Sequence, residues 1–321
     1  NMRQSRSKAE NTAWANIKNK EQTKSKIFTG ANLALYGMVA PAVILCTVFH
    51  YMPLPGIVLS FTDFRVSGFK GWVGFENFHY LFNLKYFWQA FANNWFFIFL
   101  RYVFVFPAPI IFAILLNEVK FKRYKRVIQA ISALPHFISW VVIAGIFMSI
   151  LSPNYGYINR IIQVLGGEPV YFLTNRELFP WLITFIIIWK ETGYISIIYL
   201  AALASIDPEL YETSVIDGVS KFKQVIYITL PSIKGTILLM FVLSFAMIMN
   251  GLFEPVYLMK NPAVAETAEI IDTYIYDVGL VNSKYSLATA ADFFKSVVSF
   301  LFLLIANFLS KTFTEDKKSV L

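Results

Sequence analysis

Cysteine and histidine are almost missing from this 321-residue chain, which has one of the first and three of the second. The lone Cys46 lies in an apolar run, so no disulfide forms within the chain. His50, His79 and His136 stand far apart and show no metal-ligand spacing, so no metal site is expected. Charge is scarce too. Asp, Glu, Lys and Arg make up 15% of residues against 57% hydrophobic, the balance of a polytopic membrane protein rather than a soluble domain. The sequence has no Gly-x-x-x-x-Gly-Lys-Ser/Thr, no Gly-x-Ser-x-Gly and no His-Glu-x-x-His. It therefore reads as a non-catalytic chain that holds no cofactor and does not bind ATP through a phosphate loop. The net charge of +8 raises the question of nucleic acid, but the charges are placed otherwise. Arg3, Arg6, Lys8, Lys18, Lys20, Lys24 and Lys26 precede the first apolar run, and Lys120, Lys122, Arg123, Lys125 and Arg126 crowd one short stretch. That is the positive-inside pattern of a membrane protein.

What the chain does have is long apolar runs. Residues 1–28 are polar and lysine-rich, with no signal-peptide pattern, and are expected to be a cytoplasmic tail. Six spans follow, at about 33–49, 88–116, 127–151, 179–203, 236–259 and 287–309, within a domain covering 29–310. Residues 311–321 form a second short tail. The stretches 62–87, 152–178 and 260–284 are outer loops, and 117–126 is a basic inner loop. The two tails, that inner loop and the 205–231 region hold about eighteen Lys and Arg against about seven in the outer loops, which puts both termini in the cytoplasm. The expected class is all-α, in the cell membrane.

The chain is organised around Ser205 to Pro231, SIDPELYETSVIDGVSKFKQVIYITLP, a polar and heavily punctuated stretch between two spans. Asp207 suits a helix cap and Pro208 the first helical position. Glu209 and Glu212 place negative charge in the first turns. Gly218 ends the first helix; Ser220 caps a second, Lys221 to Thr229, which Pro231 ends. The product is a helix–turn–helix elbow presented to water.

Glu212-Thr213-Ser214, three residues to Gly218, then nine residues to Ile228-Thr229-Leu230-Pro231 resembles the EAA loop of the membrane subunits of ATP-binding-cassette importers. Thr213-Ser214 replaces two alanines; both are small enough for close packing, though their hydroxyls are expected to loosen the helix. Gly71-Trp72-Val73-Gly74-Phe75-Glu76-Asn77-Phe78 is similar to the VGLENF segment of carbohydrate permeases. Leu134-Pro135-His136-Phe137-Ile138-Ser139-Trp140, Tyr199 to Leu203, and Asp272-Thr273-Tyr274 with Gly279 resemble the branch that imports complex oligosaccharides, including permeases for alginate oligosaccharides.

The resemblance implies a type I importer permease whose elbow couples to separate ATPase subunits. By that likeness Glu212, Thr213, Ser214, Asp217, Gly218, Ile228, Leu230 and Pro231 form the coupling surface. It also implies a second, homologous permease subunit, a pair of ATPase subunits that bind the ATP and Mg, and an extracytoplasmic sugar-binding protein. The alternative reading of the elbow is an amphipathic linker resting on the bilayer.

Polar groups inside spans are costly and mark paths or pairings. Asn250 and Glu254, four apart on one expected helix face, are candidates for the substrate path. Trp189, Tyr194 and Tyr257 could stack on a sugar ring, and Lys190 and Glu191 are ionisable neighbours in the fourth span. The competing assignment pairs Lys190, Glu191 and Arg101 with the partner permease. The proline-broken LPHFISW suggests a bend near the path, with His136 read as core packing. A rival function is an ion-coupled secondary transporter using Lys190, Glu191 and Glu254 as a relay. It predicts inverted repeats and has no use for the elbow. A scaffold without transport would leave the polar groups of spans four and five unexplained.

Overall fold

The computed structural model describes residues 30–246 and 248–313. The expected tail 1–28 and most of the expected tail 311–321 lie outside these residues. Of the described residues, 30–58 belong to a unit of their own. In it α1, Gly30–Cys46, carries Pro41 inside and continues through a π turn, Thr47–Tyr51. From Ala34 to Phe61 the chain is helical and apolar enough to cross a membrane, a longer run than 33–49. Leu45, Phe49 and Met52 are exposed, as suits a surface whose solvent is lipid.

The rest begins with a hairpin of β1, Thr62–Arg65, and β2, Gly68–Trp72, the one sheet among the described residues. Residues 62–87, expected to be irregular, are thus partly sheet. Ser286 pins this hairpin: its hydroxyl accepts from the Phe64 amide at 2.8 Å. Next, α2, Glu76–Asn83, starts within the Gly-Phe-Glu-Asn-Phe segment. Asn77 donates to the carbonyls of Ser60 and Thr62, both at 2.9 Å, so this motif residue ties helix to hairpin.

Span two is α3, Lys85–Leu100, a π turn from Arg101 to Val105, and α4, Pro107–Asn117. Span three is not one helix. α5, Lys122–Ala133, passes through a tight turn at Leu134–Phe137 and meets α6, Trp140–Ile150, at 102°. Pro135 and the extended Ile138 and Ser139 cause the corner, because the chain has lost its helical hydrogen bonds there. Half of the expected basic loop is consequently helix: Lys122, Arg123, Lys125 and Arg126 are the first turns of α5. In the following loop lies α7, Tyr157–Val164, whose buried Asn159 donates to three carbonyls.

Span four, α8, Phe179–Ala204, is unbroken. After the elbow, α11, Lys234–Ala246, and α12, Phe253–Met259, are separate helices where one span over 236–259 was expected. Gly251, at φ +88°, supplies the left-handed residue that turns the chain between them. α13, Ile271–Tyr276, and α14, Tyr285–Phe313, complete the fold, so the last helix outruns both 309 and the expected domain limit at 310.

Four helices are long and apolar enough to cross a membrane, and two bent pairs bring the described total to six. α8 is the central post. Its inner-facing Phe179, Ile183 and Ile186 pack with Phe97, Ile143 and Val256; lower down, Tyr199, Leu200 and Leu203 pack with Ile110, Ala113 and Leu116 of α4. In lipid such contacts stabilise through close packing rather than through escape from water. Gly193 shows how close: a Cβ there would stand 2.0 Å from the Ser132 carbonyl oxygen.

Candidate functional site: an elbow and two broken spans

The elbow forms by the expected local rules. Asp207 accepts from the Glu209 amide at 3.0 Å and Pro208 opens α9, Pro208–Ile216. At its end the Val219 amide donates to the Ser214 carbonyl at 2.9 Å and the Gly218 amide to Val215 at 3.1 Å. This paired closure needs a left-handed residue, and Gly218 stands at φ +70°. Ser220 is extended as a cap should be, but its side chain caps nothing. The second helix begins as α10, Lys221–Gln224, and widens into a π turn, Val225–Thr229. Pro231 does not end it. The helix runs one residue past it to Ser232, and the chain bends 64° around Ile233.

Of the Thr213-Ser214 pair, Ser214 tightens the elbow rather than loosening it. Ser214 is buried; its hydroxyl donates to the Tyr211 carbonyl at 2.7 Å and accepts from Gln224 Nε2 at 3.0 Å. Tyr211 and Thr229 join their hydroxyls at 3.0 Å. These contacts bind the two elbow helices to each other. Glu212, Thr213, Asp217, Gly218 and Pro231 face outward, whereas Ile228 is half-buried and Leu230 packs on the α4–α8 core. Around the outward residues lie apolar side chains, Ile216 at 86% exposure, Phe222 at 75% and Val215 at 62%. A face this apolar is one that a neighbour, protein or lipid, would cover.

The expected path residues do not converge. Asn250 lies in the span-five break and Glu254 in the first turn of α12, so the two do not share one helix face. Asn250 lines a cleft of about 670 Å³ with Phe253, Tyr276, Tyr285, Asp272 and Asp292. Tyr257 stands behind that wall, stacked on Phe253 at 5.1 Å and edge-on to Tyr276 at 4.8 Å. Glu191 instead shares a small cavity with Arg101, Tyr102 and Ser244. Trp189 leans on Phe147, and Tyr194 stacks flat on His136 at 3.8 Å.

Lys190 requires a correction. It is buried, and its ammonium donates to the carbonyls of Pro135, His136 and Ile138 at 3.2, 2.9 and 2.5 Å. Three protons meet three acceptors of the span-three corner, which leaves none for a sugar or an ion relay. Arg101 does the same more weakly: its Nη1 lies 3.5 Å from the Asn250 carbonyl in the span-five break.

Sequence reading missed Phe253, Tyr276 and the ion pair of Lys295 with Asp272 that also lines the cleft. Phe253 is four residues before Tyr257, a helical spacing that could have flagged it. Near the cleft, burial pushes the Tyr274 phenol up to about 12. In the hairpin, the hydrogen bond from Arg65 holds the Asp63 carboxyl below its usual range.

A bundle of straight and broken helices long and apolar enough to cross a membrane, with a helical elbow between two of them, defines a polytopic membrane protein. The family described as the binding-protein-dependent transport system inner membrane component matches residues 105–315. The chain belongs to that family. It is similar to Bacillus subtilis LplB, 38% identical over 88% of this chain and 90% of the relative. It is also similar to the polygalacturonan/rhamnogalacturonan transport system permease protein YteP of the same organism, at 39% identity over 88% and 89%. Among solved structures, a chain of a bacterial ABC transporter involved in the import of the acidic polysaccharide alginate superposes with a TM-score of 0.85. It is 38% identical and the match covers 92% of this chain and all of that one. A chain of a bacterial alginate ABC transporter in complex with its alginate pentasaccharide-bound periplasmic protein gives a TM-score of 0.83 at 38% identity. These likenesses place the chain among ATP-driven importer permeases and remove the ion-coupled reading.

Proposed function

We propose that this chain is one of two permease subunits of an importer that moves an oligosaccharide through the cell membrane. Both chain ends lie in the cytoplasm, flanking a permease domain over 29–310. The chain itself performs no catalysis; two ATPase subunits supply the ATP and Mg chemistry, and an extracytoplasmic protein delivers the sugar. The observation that carries this reading is the elbow. Glu212, Thr213, Asp217, Gly218 and Pro231 form its outward face, with Ile228 half-buried, while Ser214 holds it to itself and Leu230 to the bundle. Closure of the ATPase pair pushes on that face, and α8 and α11, which flank the elbow, carry the movement inward.

Sugar contacts belong to the cleft of the span-five break. Aromatic faces at Phe253 and Tyr276, with Tyr257 behind them, suit the apolar face of a pyranose, and Asn250 can exchange hydrogen bonds with its hydroxyls. Trp189, Tyr194, Glu191 and Glu254 stand away from this cleft and are secondary candidates.

The test is to purify the tagged chain from its native membrane in mild detergent and identify its companions. An ATPase and a second six-span permease, with ATP-driven uptake after reconstitution, support the reading. A chain that emerges alone and drives uptake from an ion gradient overturns it.

A further inference from the structure

We propose that Lys190 is a positioning residue that fastens the span-three corner to the elbow-bearing span four, so that both move as one body during transport. The inference rests on the reading of the elbow as the coupling element. Positions 190, 193 and 194 are spaced i, i+3, i+4 and so share one face of α8. All three engage the same short segment. Lys190 donates to the carbonyls of Pro135, His136 and Ile138. Gly193 admits the Ser132 carbonyl so closely that a Cβ would sit 2.0 Å from its oxygen. Tyr194 stacks on the His136 ring at 3.8 Å and 4° and meets Phe137 edge-on at 5.7 Å.

These contacts are polar, steric and aromatic, and they coincide at the point where span three loses its helical hydrogen bonds. Carbonyls opened in a membrane must find donors inside the protein. Here the donor is a charged one from another span, with Trp140 5.2 Å from the ammonium on its far side. A charge-assisted triple contact in so dry a place is stiff, and separating it would strand an ammonium without partners. The same helix runs without a break to Ala204, and the elbow opens at Pro208. Movement of the elbow therefore reaches α8 first, and the corner next. Without the pin, α8 would turn against the corner and the stroke would not reach α6.

The experiment uses the complete purified assembly in lipid nanodiscs, in a Cys46→Ser background. Spin labels at Ile131→Cys on α5 and Phe185→Cys on α8, both exposed in the described chain, report the spacing of corner and span. Labelling of Asn250→Cys by a membrane-impermeant maleimide reports opening of the cleft. With Lys190 intact, trapping with ATP and vanadate should change the labelling rate and leave the spin-label distance unaltered. Lys190→Met should shift or broaden that distance on trapping and shrink the ATP-driven labelling change by about tenfold, while Lys190→Arg restores it to within about twofold. A Lys190→Met assembly with one unaltered distance and a full labelling change overturns the proposal. So does a distance change in the Lys190 assembly, which decides the matter even when Lys190→Met does not fold. An assembly that hydrolyses ATP without any labelling change would instead sink the coupling reading on which the proposal rests.

Discussion

The two broken spans are held in opposite ways. In span three the opened carbonyls of Pro135, His136 and Ile138 share one buried ammonium at 2.5 to 3.2 Å. In span five the Asn250 carbonyl has Arg101 at 3.5 Å, a marginal contact, and Asn250 and Gly251 are exposed in a cleft. On the coupling and substrate path proposed above, the two breaks serve different purposes. The pinned break is then a fixed corner through which force passes. The loose break leaves backbone and side chain free to face a substrate, in keeping with the tendency of functional sites to sit where order is least complete.

The largest effect expected is at the pinned break. Gly193→Ala drives a methyl group into the Ser132 carbonyl, so it should lower stability by about 3 kcal/mol or more, read as a fall in detergent melting temperature and membrane yield. A variant as stable as the parent would show that α8 and the corner are not locked. At the loose break, Gly251→Ala places an ordinary residue at φ +88° and brings its methyl within 3.3 Å of Arg101 Nη1. A cost of about 1–2 kcal/mol is expected, with sugar-dependent uptake impaired more than folding. Arg101→Met should cost about 1 kcal/mol or less, because so long a hydrogen bond contributes little. A larger loss would mean that the second break is pinned as firmly as the first. Smallest of all is Lys221→Gln, which removes an exposed ion pair with Glu118 at 3.1 Å; about 0.5 kcal/mol or less is expected from thermal unfolding.

The first half of the elbow was legible in the sequence, because caps, prolines and glycines act locally. Asp207, Pro208 and Gly218 do what their chemistry dictates wherever they stand. Pro231 misled because the π turn before it had already shifted the helical register, which no local rule announces. The corner at Pro135 was visible as a break, yet its closure was not. Lys190 lies more than fifty positions away, and only the fold brings its ammonium to those carbonyls. Hydropathy carried span five past Asn250, since a run of apolar residues looks the same whether one helix or two use it. There Gly251 was the signal passed over. The hairpin was hidden by its shortness and by the two glycines that a loop would also contain.

The central claim is that the elbow carries ATP-driven motion into the bundle, and Gly218→Asp tests it most directly. No atom stands within 4 Å of a Cβ at that position, and aspartate tolerates the left-handed conformation better than most residues. The variant should therefore insert and fold, while its carboxylate intrudes on the apolar face beside Ile216. In reconstituted importer, the account predicts near-parental levels of assembled permease with ATP-driven sugar uptake reduced by about tenfold or more. Parental uptake per ATP in that variant would contradict it.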